Sequence, residues 1–277
     1  MKYFLGQSPL GFHRVAYAEW GKPTAKPPVI CVHGLTRNGR DFDTLAKHLQ
    51  SSAQIFCPDM IGRGHSDWLK DPTLYNYPQY LADTTALIAR TQAEQIDWIG
   101  TSMGGIIGML IAAQPQTPIR RLIINDVGPH IPLAALKRIA GYVGMAQEFD
   151  DIEAIRQHLR LIYASFGITR DEDWQHLAQH SYRMLPNGKL AMAHDPAIAR
   201  NFEALDKDVD FWNLYDKIAC PTLVIHGAQS DILPDDVAQQ MTQRGPKAKL
   251  VTLPGIGHAP ALISADQIKL IEDFLNS

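Results

Sequence analysis

Cysteine is scarce in this 277-residue sequence, and the three present, Cys31, Cys57 and Cys220, are an odd number that fits no disulfide framework. The opening stretch "MKYFLGQSPLGFHRVAYAEWG" holds no apolar run of leader length, so the thiols read as free, in a reducing cytoplasm. No segment is long and apolar enough to span a bilayer, which argues against a membrane anchor. Neither sign of charge dominates. With 26 Lys and Arg against 29 Asp and Glu, the net charge of −3 offers no electrostatic footing for nucleic acid or an anionic membrane. Repeats and low-complexity tracts are missing too, and the prolines and glycines are spread as punctuation. What is there suits one large globular domain, or one domain with an insertion: 45% hydrophobic and 20% charged residues. The expected assembly is a monomer or a homodimer, acting on a small molecule.

The hydrophobic pattern alternates between two periods. "VICVHG", "QIDWIG", "IRRLIIND", "CPTLVIHG" and "AKLVTLPG" are short apolar runs of the kind that make strands covered on both faces. Between and after them lie amphipathic helical stretches, including "DFDTLAKHLQ", "YPQYLADTTALIARTQ" and the terminal "SADQIKLIEDFLN". Strands alternating with helices predict an α/β fold with a mostly parallel sheet and helices on both faces. The alternation breaks at residues 129–210, which read as consecutive helices, too long for a loop. We assign residues 1–128 and 211–277 to the core domain and 129–210 to a helical cap. The cap leaves the sheet at the carboxyl end of a strand, the edge where open α/β sheets bind ligands. Tyr142, Met145, Tyr163, Phe166, Trp174 and Met184 in the cap are candidates for a pocket wall or for the cap's own core.

Within "WIGTSMGG", Gly100, Ser102 and Gly104 form a G-x-S-x-G pattern between a strand and a buried helix. A turn this sharp strains the serine backbone and excludes Cβ atoms at its flanks, which lifts the hydroxyl clear of the sheet. A serine nucleophile needs a histidine base held by a carboxylate. Of eleven histidines, His258 in "LPGIGHAP" follows the last strand on a glycine-hinged loop at the same sheet edge. His33 and His226 also end strands, but where the backbone is tightly packed. His176 and His180 have the four-residue spacing of a metal pair, yet no carboxylate or cysteine accompanies them in sequence, so no metal site is expected. Two carboxylates compete for the acid. Asp231 in "HGAQSDILP" lies on the loop of the preceding strand and is favoured; Asp126 in "IINDVGP" is the alternative, with a turn-capping role as its simpler explanation. Asp235 and Asp236 read as helix-start residues. Backbone N–H groups of Leu35 and Met103 are the expected oxyanion donors, while Arg37 reads as a solvated surface residue and Asn38 as a possible substrate contact.

The segments "VICVHGLTRNGRDF", "CPDMIGRGHSD", "GTSMGG", "INDVGP", "PTLVIHGAQSDILP" and "GIGHAP" together resemble the α/β-hydrolase superfamily, in its serine branch with a helical cap. The likeness covers nearly the whole chain and is similar to that of bacterial cytosolic carboxylesterases, lactonases and cofactor-free haloperoxidases. It implies hydrolysis of a carboxylic ester, lactone or thioester through an acyl-enzyme, with chain order Ser102, Asp231, His258 and no metal or organic cofactor. Perhydrolysis, carbon–carbon bond hydrolysis and a retired, ligand-binding receptor are the alternatives the same resemblance leaves.

Overall fold

Several strands of this chain are apolar on both sides, and the computed structural model, which describes residues 1–277, shows two apolar layers flanking one sheet. The sheet has eight strands. Strands β1 (Lys2–Ser8) and β2 (Gly11–Trp20) are antiparallel to each other, and β2 is antiparallel to β4 (Ile55–Pro58). From β4 the sheet runs parallel through β3 (Val29–Val32), β5 (Ile96–Thr101), β6 (Ile119–Asn125) and the strands Thr222–Gly227 and Lys249–Leu253. Successive side chains point to opposite faces. Ile30, Val32, Trp98 and Ile124 therefore enter one layer, and Val29, Cys31, Ile99 and Ile123 the other.

Helices α2 (Tyr77–Thr91) and α3 (Met103–Ala112) supply Leu87 and Ile107 to the first layer. Helix α1 (Asp43–Leu49) and the terminal Ala265–Asn276 supply Leu45 and Ile271 to the second. Every residue of α3 is buried, as expected for a helix apolar all round. No helix is long and apolar enough to cross a membrane, and all three cysteines are free.

Between β6 and Thr222 the chain builds the cap around α4 (Leu133–Val143), α5 (Ile152–Ile162) and α6 (Asp171–His180). The expectation of an all-helical cap needs correction. Tyr182–Met184 does not continue α6 but pairs antiparallel with Leu190–Met192, which also pairs with Glu148–Phe149. A Pro-Asn-Gly turn causes the break: Gly188 sits at φ 81°, and the Leu185 N–H donates to Lys189 O at 2.8 Å. A second short pairing, His130–Ile131 with Val209–Asp210, joins the two ends of the insertion at its base. Phe149, Ile155, Trp174 and Leu190 form the cap's private core.

Candidate active site

Ser102 stands between β5 and α3 at φ 53°, ψ −115°, a conformation that L side chains rarely adopt. The flanking glycines are sterically required. A Cβ on Gly100 would collide with Gly104 O, and one on Gly104 with Val32 O. The indole Nε1 of Trp98 donates to Gly104 O at 3.0 Å, and the Ser102 N–H to Asn125 O at 2.9 Å, so the turn is tied to both its own helix and the neighbouring strand.

His258 reaches this serine from the loop after Lys249–Leu253. Its Nε2 accepts from Ser102 Oγ at 2.9 Å, and its Nδ1 donates to Asp126 Oδ2 at 2.9 Å. The favoured placement of Asp231 beside His258 is thus corrected: the carboxylate on the imidazole is the alternative, Asp126. Asp126 directly follows β6 at φ 58°, a left-handed position that a short polar residue tolerates best. Its other oxygen accepts from the Gly227 N–H at 2.7 Å, and the side chain is fully buried. Asp231 lies beyond the adjacent strand, 48% exposed, where it binds Arg138 of the cap at 2.5 and 2.9 Å. Asn125 completes the brace, its Nδ2 donating to Thr101 Oγ1 at 3.0 Å and to Pro260 O at 2.8 Å. It links the serine strand to the histidine loop, a role the sequence reading missed.

Leu35 and Met103 lie against Ser102 on the wall of one cavity. Gly34 brings the first loop close, since a Cβ there would stand 3.6 Å from Ser102 Cβ. His33 props this loop from below: Nδ1 donates to Gly34 O at 2.6 Å and Nε2 accepts from the Met60 N–H at 2.9 Å. Burial pushes its pKa from the ordinary 6.5 down to about 3, so it stays neutral. His226 is likewise structural, with Nε2 donating to Leu233 O at 3.0 Å. Arg63, which the sequence reading passed over, is fully buried and pairs with no carboxylate. Its Nε donates to Leu35 O at 2.8 Å, Nη1 to Ile61 O and the Tyr80 hydroxyl, and Nη2 lies 3.6 Å from Met103 Sδ. One guanidinium therefore touches both residues that flank the serine.

A strained serine between two obligatory glycines, facing an imidazole and a buried carboxylate at the carboxyl edge of a parallel sheet, meets its match in sequence as well. The sequence profile of the alpha/beta hydrolase fold family matches residues 27–264. The chain belongs to that family. This hydrolase is 40% identical over 276 residues to the 3-hydroxybutyrate-oligomer hydrolase of Cupriavidus necator, covering 96% of this chain and 94% of the relative. A Rickettsia typhi protein superposes with TM-score 0.90 at 38% identity, covering 100% of this chain and 96% of the other. An alpha/beta hydrolase from Novosphingobium aromaticivorans gives TM-score 0.88 at 38% identity, with coverages of 99% and 98%.

Two cavities of the hydrolase meet at Ser102. One, of about 300 Å³, is walled mainly by apolar side chains such as Ile106, Leu136 and Phe202. The other, of about 140 Å³, is the more polar of the two: about half of its lining is apolar, and the rest includes His258, Arg37, Arg138, Asp231 and Gln229. Of the cap candidates, Tyr142, Tyr163 and Phe166 line the polar cavity. Trp174 belongs to the cap core, and Met145 and Met184 are exposed away from Ser102. Arg37 is not a solvated surface residue. It is 4% exposed, grips Asp41 through Nε and Nη2, and donates from Nη1 to Ser181 Oγ of the cap at 2.9 Å. Beside it Asn38 donates to His180 O at 2.7 Å, so the loop after β3 is tied to the cap at two points. Near that junction Asp43 does accompany His176 and His180, contrary to the sequence reading. The Arg40 guanidinium holds both Asp43 oxygens, so this carboxylate's charge is already matched.

Proposed function

We propose that this ester hydrolase works through an acyl-enzyme, with Ser102 as nucleophile, His258 as general base and acid, and Asp126 holding the imidazole. The observation that carries the reading is one ring bridging two partners: His258 spans Ser102 Oγ and Asp126 Oδ2 at 2.9 Å each. The imidazole takes the serine proton as Oγ attacks the acyl carbonyl, and then gives it to the leaving alkoxide. Asp126 keeps the proton-bearing nitrogen turned away from the serine and stabilises the imidazolium. The N–H groups of Leu35 and Met103 hold the oxyanion, and water repeats the sequence to free the acid. No metal or organic cofactor enters these steps.

For substrate class we assign hydroxy-acid oligoesters, on the strength of the name of the Cupriavidus relative and of two cavities able to hold the two arms of an ester. A reducing cytoplasm suits the free cysteines. The test is labelling with a serine-directed phosphonate alongside hydrolysis of a nitrophenyl ester. Modification at Ser102, with turnover lost in step, is the expected result. Turnover that survives full labelling of Ser102, or labelling at another serine, overturns the assignment.

A further inference from the structure

The two cavities at Ser102 differ in chemistry, and the position of His258 decides which arm of the ester each receives. A general acid must stand beside the oxygen that leaves, so the alcohol arm departs on the side of the imidazole. His258 lines the polar cavity and not the apolar one, whereas Met103 and Ile106 line only the apolar one. Ser102, Leu35 and Ile139 line both, which puts the carbonyl at their junction. Resting on the ester-hydrolase reading above, we propose that this site takes esters with an apolar acyl arm and an alcohol arm ending in a carboxylate, which Arg138 binds.

Arg138 and Ile139 are adjacent on α4, so one helix supplies both the dividing wall and the charge beyond it. The guanidinium has five N–H donors, of which Asp231 engages those on Nε and Nη2, and the Tyr142 hydroxyl stands beside it, so a second carboxylate would meet Nη1 in company with that hydroxyl. Both members of the pair are about half exposed, 47% and 48%, and an ion pair so open to water is held by about 1 kcal/mol or less. An incoming carboxylate therefore shares or replaces Asp231 at little cost and gains a charge-assisted bidentate contact.

The probes are the butanoyl ester of 3-hydroxybutanoate and that of 3-hydroxybutanamide, equal in size and different in charge. Wild-type enzyme should favour the carboxylate by about three- to fivefold in kcat/KM, expressed in KM. R138Q should bring the ratio near one, and R138K should restore part of it. Butyl succinate, with the carboxylate on the acyl arm, should be turned over more slowly than the 3-hydroxybutanoate ester. Calorimetric binding of the first two probes to S102A reads the same preference without chemistry, so a failure of the ester-hydrolase reading is seen separately as no turnover of any ester. Equal binding of acid and amide, a preference that survives R138Q, or faster turnover of butyl succinate overturns the proposal.

Discussion

Asp126 and Asp231 follow adjacent strands at the same edge of the sheet, yet the molecule uses them in opposite ways. Asp126 is fully buried, held at a left-handed backbone position, and committed to two partners, the Gly227 N–H and His258. Asp231 is half exposed and committed to one arginine of the cap. A buried carboxylate with fixed donors keeps a single geometry, which orienting an imidazole demands. An exposed ion pair changes partners readily, which suits a binding mouth. Burial and backbone conformation, more than residue type, divide positioning from recognition here.

The largest effects should fall on the committed side. S102A should retain the fold and lower kcat by about 10⁶-fold, which sets the floor for every comparison. D126N keeps the shape but presents a donor where an acceptor is needed, so kcat should fall by about 10⁴-fold. D231N should cost less than about tenfold, seen in KM. The reverse ranking, in variants with native circular dichroism, would return the acid to Asp231.

The cap extends the contrast. Trp174 sits in the cap's own core, so W174A should lower stability by about 3–5 kcal/mol in thermal or denaturant unfolding. Y142A, at the polar cavity, should instead alter preference among leaving groups with a smaller stability loss. If W174A shifts leaving-group preference at unchanged stability, the division of the cap into core and wall fails.

The last effect is spread over pH. His33 has its pKa lowered from 6.5 to about 3 by burial, so below about pH 6.5 the unfolded chain binds a proton that the folded chain refuses. Its contribution to stability is complete above that pH and drains as pH falls toward 3, by up to about 1.4 kcal/mol per pH unit. His194, likewise lowered to about 4 by burial, adds to the same slope. Melting temperature measured from pH 7 to 4 should drop, and H33Q should flatten that drop because an amide can make both hydrogen bonds without titrating. An unchanged slope in folded H33Q would show that other groups carry it.

How much of this was legible in the sequence follows from how local each cause is. The serine turn was, because Gly100 and Gly104 are demanded by clashes within a few residues. The parallel sheet was, because unbroken apolar runs such as "VICV" imply cover on both faces. The choice between Asp126 and Asp231 was not, since both follow strands and precede His258. The difference rests on φ at residue 126 and on a cap helix meeting Asp231 from 93 positions away. The one local hint was Asp126 itself, a residue type that tolerates left-handed backbone, directly after an apolar strand. The cap strands escaped because pairings of two or three residues carry no readable period. Arg37 read as a surface residue because its burial depends on Ser181 and Tyr163, both in the cap.

Arg63 carries a consequence for engineering. A fully buried cation without a carboxylate is costly to desolvate, and at this position the cost is offset by donation to Leu35 O, Ile61 O and the Tyr80 hydroxyl. Here the same guanidinium steadies Leu35 and Met103 on either side of the serine. Methionine or leucine at position 63 would take the donor from the Leu35 and Ile61 carbonyls, so selection for heat resistance and selection for turnover should both keep this arginine.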